Sequence, residues 1–106
     1  MAWAIEYHEL AKKDLLKLDK TQRMQVLKAI EKVSQNPLPN YEGGYGKPLG
    51  NRAASQLAGY YKIKLRKSGL RVVYSIVRQQ ETMKVIVISV RDDEMVYRLA
   101  EQRIKP

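Results

Sequence analysis

The sequence predicts one α+β domain in which helices pack on a small, mainly antiparallel sheet. Three observations support this prediction. Two amphipathic segments with helical spacing lie in the first third of the chain, a run that alternates apolar and cationic residues follows its middle, and a β-branched run precedes a last helix. A length of 106 residues suits a single core, so we expect one domain over residues 1–106 with the element order βααβββα.

The N-terminal elements are a short strand and a helical hairpin. Alternating apolar residues from Trp3 to Tyr7 predict a strand at a sheet edge. Leucines at helical spacing predict a first helix from Glu9 to Leu18, and Thr21 can cap a second helix. The apolar residues of that second helix are Val26, Leu27, Ile30 and Val33. Two amphipathic helices joined by a short connection form a helical hairpin.

The middle of the chain is predicted to be irregular. The segment from Asn36 to Gly50 carries three prolines and four glycines, which break both helical and strand periodicity. Its glycines lack the strand-to-helix context of a phosphate-binding loop. Residues 51–59 are compatible with a helical turn or with an irregular approach to the next strand.

The run from Tyr61 to Tyr74 is the most informative part of the sequence. Because successive side chains of a strand point to opposite faces, its apolar residues fall on one face and its cations on the other. A two-residue turn at Ser68-Gly69 is predicted, because it keeps Arg71 on the cationic face and buries no unpaired charge. That register places Arg66 opposite Arg71, Lys64 opposite Val73 and Lys67 opposite Leu70.

The C-terminal elements are a polar turn, a central strand and a helix. The turn is predicted from Arg78 to Thr82, and the β-branched run over residues 85–90 is typical of a central strand. Asp92 or Asp93 can cap the last helix. Alternation along the central strand gives two sets: Val87, Ser89 and Arg91 on the cationic face, and Ile86, Ile88 and Val90 on the apolar face.

The charge of the chain favours an anionic partner. Lysine and arginine number 20 against 11 aspartate and glutamate, which gives a formal net charge of +9. Between Lys62 and Arg71 five cations follow without a carboxylate, and such a row repels itself in the absence of a bound anion. We expect the helices on the apolar face and an open basic face, whose alternate residues, about 6.5 Å apart, match the phosphates of an extended nucleic acid.

A cationic face of this kind can cleave RNA without a metal. The reaction needs a base for the 2′-hydroxyl, positive charge near the phosphorane and an acid for the leaving 5′-oxygen. Arginine stays protonated, so Arg71 and Arg91 suit charge stabilisation. Lys64 or Tyr97 would then be the base.

Several other classes of site are excluded. The chain has no cysteine, which removes disulfides and thiolate metal sites and fits a reducing cytoplasm. We interpret His8 as a surface or capping residue, and the acidic run from Asp92 to Glu94 as helix capping. No apolar run is long enough for a membrane span. We therefore expect a cytoplasmic protein with no cofactor, no metal and no membrane association.

The run from Tyr61 to Tyr74, followed by residues 87–90 and by Val96-Tyr97, resembles the RelE toxins of bacterial type II toxin–antitoxin systems. The resemblance implies a RelE-like fold and a ribosome-dependent mRNA endoribonuclease. Such an enzyme cuts the codon in the A site by metal-free 2′-hydroxyl attack, leaves a cyclic phosphate and inhibits translation. The implied partners are a RelB-like antitoxin, the 70S ribosome and mRNA, with operator DNA bound only by the toxin–antitoxin complex.

The resemblance also implies roles for individual residues. Lys62 and Lys64 match the paired catalytic lysines of the family, and Arg71 matches its transition-state arginine. Arg91 matches a second catalytic arginine, and Tyr97 matches the tyrosine of the C-terminal helix. The base and acid roles stay undivided among these residues. Further RNA contacts are expected from Arg66, Lys67 and Arg98.

Two departures from the RelE pattern are visible. The segment between Val90 and Tyr97 is shorter than in RelE, so Arg98 or Arg103 is an alternative to Arg91 as the second arginine. Residues 51–58 resemble an insertion before the second strand. An alternative function also follows from the resemblance, because the related ParE toxins share the fold and inhibit DNA gyrase by binding, without cleaving RNA.

Overall fold

The computed structural model describes residues 2–49, 59–90 and 92–105, and the predictions made for residues 51–58 lie outside these ranges. The predicted α+β fold is confirmed, with one short strand more than the sequence predicts. The helices are α1 (Glu9–Lys17), α2 (Lys20–Ser34) and α3 (Asp93–Ile104). The strands are β1 (Ala4–Tyr7), β2 (Lys47–Pro48), β3 (Tyr60–Leu65), β4 (Leu70–Val77) and β5 (Thr82–Ser89). No helix within these ranges has the length and apolar content that crossing a bilayer requires.

The described strands form one sheet in the order β1-β5-β4-β3-β2. Strand β1 lies at an edge, as the sequence predicts, and pairs in parallel with β5. The other neighbours pair antiparallel, and β5 lies between β1 and β4 as the predicted central strand. The extra strand β2 adds two residues to β3 at the opposite edge, in a segment that the sequence predicts to be a loop.

Both faces of the sheet carry helices, which corrects the prediction of an open basic face. On one face, α1 and α2 pack on a cluster that contains Ile30, Val72 and other buried apolar residues. On the other face, α3 packs through Val96 on Val73, the neighbour of Val72 in β4. Because adjacent residues of a strand point to opposite faces, this division places the two clusters on the two sides of the sheet. Lys62 and Arg71 on that face are therefore partly enclosed beside α3 instead of facing open solvent.

Side chains cap all three of the described helices. Asp19 caps α2, because its Oδ1 accepts a hydrogen bond from the Gln22 backbone N–H at 2.8 Å while Gln22 accepts from the Asp19 backbone in return. The predicted cap, Thr21, lies inside the first turn, so that prediction is wrong. His8 caps α1 and Asp92 caps α3, as expected for both.

The β3–β4 hairpin has a different register from the predicted one. Its turn contains four residues, Arg66 to Gly69, so Leu65 pairs with Leu70 and Lys64 pairs with Arg71. The shift of two residues is even and leaves every side chain on its predicted face. Gly69 makes the longer turn possible, because it adopts a φ of +72° and donates its backbone N–H to the Leu65 carbonyl at 2.9 Å.

Strand β5 contains a bulge that the sequence pattern does not predict. Val73 pairs with Val87, and the register then shifts so that Ile86 has no partner in β4. The bulge turns Ile86 toward α3, where it joins the cluster of Val87 instead of that of Ile88. The predicted apolar set of Ile86, Ile88 and Val90 is therefore wrong, and Val90 is 55% exposed.

A buried ion pair closes the edge of β5 beyond the end of β1. The ladder with β1 ends at Val85, so the Ile86 carbonyl and the Ile88 N–H need other partners. Arg103 of α3 donates to the Ile86 carbonyl at 2.8 Å, and Asp14 of α1 accepts from the Ile88 N–H at 3.0 Å. The two side chains also bond each other twice, at 2.6 and 3.0 Å. This pair joins α1, β5 and α3.

Candidate functional site

A group of polar side chains gathers where the cationic face of β3 and β4 meets the first turns of α3. Lys62 and Lys64 project from this face because they occupy alternate positions of β3, and Arg71 joins them from the opposite position on β4. Helix α3 starts soon after β5 and brings Asp93 and Tyr97 over the same face. The structure thus brings four of the five predicted catalytic residues to one region.

Lys62 and Tyr97 are in direct contact. The Lys62 ammonium donates a hydrogen bond to the Tyr97 hydroxyl at 3.2 Å, and it lies 5.9 Å from the centroid of the same ring. Tyr97 as a whole is only 7% exposed, since its ring packs with Val73 and Val87. Tyr97 therefore has two roles: its ring is part of the core, and its hydroxyl faces the cationic site.

Asp93 bridges the two most enclosed cations of the site. Its Oδ1 accepts a hydrogen bond from Arg71 Nε at 2.5 Å, and its Oδ2 lies 3.6 Å from Lys62 Nζ. The sequence predicts only a helix-capping role for Asp93, and this contact is an addition to that prediction. Helical spacing could have revealed it, because residues four apart share a helix face and Asp93 precedes Tyr97 by four.

The cations around Asp93 determine its charge state. Partial burial disfavours the ionised carboxylate, but Lys62 and the hydrogen bond from Arg71 outweigh that effect. Lys64 adds to the attraction. The pKa of Asp93 is therefore lowered from its ordinary value of 3.8, and the carboxylate is ionised at neutral pH.

Arg71 is held by the turn as well as by the helix. Its Nη1 donates to the Gly69 carbonyl at 3.3 Å, and its Nε donates to Asp93. The side chain is 20% exposed. Two directed hydrogen bonds fix the plane of the guanidinium, a geometry that a lysine at this position could not reproduce.

An outer group of exposed cations surrounds this centre. Lys64 lies directly opposite Arg71, and Arg66 and Lys67 lie in the turn, all three with exposed side chains. Lys47 of β2 pairs with Lys62 and is exposed as well. Because directly opposed residues share a face, Lys47 extends the cationic surface by one residue, although the sequence predicts a loop at this position.

The three other arginines proposed from the sequence differ in position. Arg91 lies outside the described residues. Arg98 is exposed on α3 and pairs with Glu94 at 2.8 Å, one helical turn before it. Arg103 is buried in its pair with Asp14, with only 9% of its side chain exposed, so it belongs to the fold and not to this site.

The site offers cations, a phenol and one bridging carboxylate. Within residues 2–49, 59–90 and 92–105, three or more histidine, cysteine, aspartate or glutamate side chains nowhere converge as metal ligands do. Both oxygens of Asp93 face cationic donors. The arrangement suits an anion that needs charge stabilisation and a nearby proton donor or acceptor.

Comparison with known proteins gives consistent results. Residues 5–97 match the family model described as the ParE toxin of the type II toxin–antitoxin system parDE. The mRNA interferase toxin RelE of Escherichia coli K12 is 33% identical over 107 residues, which cover 98% of this chain and 99% of that protein.

Solved structures agree with the sequence match. A mutant of the E. coli toxin RelE in the free state has a TM-score of 0.72 and 30% identity, with 99% of this chain and 100% of that chain covered. The toxin in the intact E. coli RelBE toxin–antitoxin complex has a TM-score of 0.65 and 30% identity, with 86% and 99% covered.

Proposed function

The chain belongs to the RelE/ParE family of toxins of type II toxin–antitoxin systems, and we propose that it is an endoribonuclease that cuts mRNA in the ribosomal A site. The observation that carries this proposal is the contact of Lys62 with Tyr97 beside Arg71 on one face of the sheet. A cationic group for the phosphate and a phenol for proton transfer are the parts that metal-free RNA cleavage needs. The relative with 33% identity is named an mRNA interferase, which supports the same activity here.

The proposed reaction is a transesterification. The 2′-hydroxyl oxygen attacks the adjacent phosphorus, its proton passes to a base, and the bond from phosphorus to the 5′-oxygen breaks. The products are a 2′,3′-cyclic phosphate and a 5′-hydroxyl, whose oxygen takes a proton from an acid. Lys62 and Arg71 stabilise the charge that develops on the phosphorane, and Arg91 is proposed as a second arginine. Lys64 and Tyr97 are the candidates for the proton transfers.

The ribosome would supply the positioning that this small site lacks. Free single-stranded RNA is flexible, and in-line attack requires the 2′-oxygen, the phosphorus and the 5′-oxygen to align. Holding reacting groups in place can contribute roughly 7–11 kcal/mol to a barrier. Exposed Arg66, Lys67 and Arg98 are proposed to contact the RNA backbone around the scissile bond.

A cell-free translation reaction with primer extension tests the activity. Wild-type protein is expected to produce cuts at fixed positions within codons, and the cuts should vanish with Lys64→Ala or Arg71→Ala. Lys28→Ala, on the exposed surface of α2, is the matched control and should leave the cuts unchanged. Cuts that survive both site substitutions would overturn the assignment.

The need for a ribosome is tested separately. The same mRNA is incubated with the protein in the presence and absence of 70S ribosomes. We expect cleavage only on the ribosome, with cuts in the A-site codon. Equal cleavage of the free mRNA would contradict ribosome dependence and leave a general endoribonuclease.

Inhibition of DNA gyrase is the second candidate function. It is favoured by the family model, which is described as a ParE toxin and matches residues 5–97. A supercoiling assay with purified gyrase separates the two candidates. Inhibition of supercoiling without mRNA cleavage would establish the gyrase alternative, and cleavage without inhibition would exclude it.

A cognate antitoxin is the partner that the family and the RelBE complex support. We propose a RelB-like protein that covers the cationic site and, together with the toxin, binds operator DNA. The net charge of +9 suits an acidic segment on that partner. Co-expression should restore growth of toxin-expressing cells, and only the complex should shift operator DNA in a gel.

A further inference from the structure

Asp93 occupies the position in the site where an anionic substrate would be expected. Its two carboxylate oxygens face two different cations, Arg71 at 2.5 Å and Lys62 at 3.6 Å. A phosphate offers its oxygens to cationic donors in the same way. While Asp93 stays in place, the Arg71 Nε–H is not available to an RNA phosphate, and the carboxylate offsets the positive charge that both cations would offer it.

The exposure of the three side chains shows how an anion could reach the cations. Lys62 and Arg71 are 22% and 20% exposed, and Asp93 is 34% exposed. The Asp93 side chain is thus the most accessible of the three. An anion that arrives from solvent encounters the negative charge of Asp93 together with the cations it needs.

The N-terminus of α3 allows the Asp93 side chain to leave without unwinding the helix. The cap of α3 is Asp92, whose Oδ1 accepts from the Met95 backbone N–H at 2.9 Å. The Asp92 carbonyl accepts the next hydrogen bond, from Val96, at 3.0 Å. Asp93 takes part in neither bond through its side chain, so rotation about its side-chain bonds can break both ion pairs.

We propose that Asp93 is an internal substitute for the substrate phosphate, which neutralises Lys62 and Arg71 in the free toxin and is displaced when RNA binds. The nature of the anion rests on the proposed function. A role as general base is less suitable, because both carboxylate oxygens already face cations and the carboxylate holds its proton weakly. Asp93 therefore acts as a competitor that sets the affinity of the site for RNA.

The test compares Asp93→Asn with Glu31→Gln. Both substitutions remove one negative charge, but Glu31 lies on the exposed surface of α2, away from the cationic site. A fluorescent single-stranded oligoribonucleotide with 2′-O-methyl groups serves as the probe, because it lacks the attacking hydroxyl. Binding is measured by anisotropy at several salt concentrations.

We expect Asp93→Asn to bind the probe about tenfold more tightly than the wild type, and Glu31→Gln to stay within about twofold. Equal affinity of the two variants would overturn the proposal, since it would show that Asp93 acts only through the net charge of the protein. Weaker binding by Asp93→Asn would overturn it as well, because it would show that Asp93 helps RNA binding by positioning Arg71.

A substitute variant and an NMR measurement complete the test. If Asp93→Asn does not fold, Asp93→Ser replaces it, because serine also suits the start of a helix. In the wild type, the ¹³Cγ resonance of Asp93 should move when the probe is added, and an unchanged resonance at saturating probe would contradict displacement. Because the probe is not cleaved, failure of the proposed endoribonuclease activity would show in the translation assay and not in these measurements.

Discussion

The Lys62 ammonium donates a hydrogen bond to the Tyr97 hydroxyl at 3.2 Å and thereby ties β3 to α3. These residues are 35 positions apart in the chain, and the contact depends on the packing of the Tyr97 ring in the core. The position of α3 on the sheet thus determines where the ammonium points. Any partner that moves α3 would change the site without touching the cationic strands.

Tyr97→Phe removes the hydroxyl and keeps the ring, so it separates the contributions of the two. The ring keeps its packing, so the free energy of unfolding should fall by no more than about 1 kcal/mol, the typical net contribution of one hydrogen bond. Cleavage of ribosome-bound mRNA should fall by roughly 10²-fold if the hydroxyl transfers a proton. Urea unfolding and primer extension measure the two effects. Unchanged cleavage would leave Tyr97 with a packing role only.

Gly69→Ala tests the turn that presents Arg71. Gly69 has a φ of +72°, and an added Cβ would meet no atom within 4 Å, so the cost is backbone strain and not a clash. We expect a loss of about 1–2 kcal/mol in the free energy of unfolding, and a smaller loss for Gly69→Asn, because asparagine tolerates this conformation better. Urea unfolding of both variants provides the comparison. Equal losses would indicate that strain at φ is not the cause.

The hairpin illustrates what sequence alone can determine. The alternation of Lys62, Lys64 and Arg71 with apolar residues assigns each side chain to a face, and the structure agrees. The predicted register of the hairpin is wrong, because a two-residue turn and a four-residue turn place each side chain on the same face of the sheet. Only the closure of the turn from Gly69 to Leu65 distinguishes them, and alternation carries no information about it.

Other features depended on tertiary contacts that no local pattern encodes. The bulge at Ile86 reverses the faces within a run whose residues are all apolar, so alternation could not detect it. The role of Asp93 in the site was hidden because a carboxylate at a helix start has a sufficient local explanation as a cap. Lys47 was missed because a two-residue strand between prolines and glycines has no periodicity.

Removing one partner of the Arg103–Asp14 pair should destabilise the fold strongly. Both side chains are nearly buried, at 9% and 12% exposure, and each also satisfies a backbone group of β5. Breaking a buried pair leaves an uncompensated charge, which typically costs about 3–5 kcal/mol. We expect a loss of this size in the free energy of unfolding for Arg103→Met, measured by urea unfolding.

The exposed pair of Arg98 and Glu94 is the control, and Arg98→Met should cost less than about 1 kcal/mol. Similar losses for the two variants would contradict a structural role of the buried pair.

The ion pairs of Asp93 should make stability depend on pH in the acidic range. The pKa of Asp93 is lower in the folded protein than its ordinary value of 3.8, so the folded state releases this proton more readily than the unfolded state does. Its contribution to stability is therefore fully present above the unfolded pKa and is lost as the pH falls through the folded pKa. We expect the free energy of unfolding of the wild type to exceed that of Asp93→Asn at pH 6, and the difference to shrink as the pH falls below 3.8.

Urea unfolding across this pH range measures the difference. Glu94→Gln is the control, and its difference from the wild type should vary less with pH. A difference for Asp93→Asn that stays constant down to acid pH would show that the carboxylate gains no stabilisation from Lys62 and Arg71.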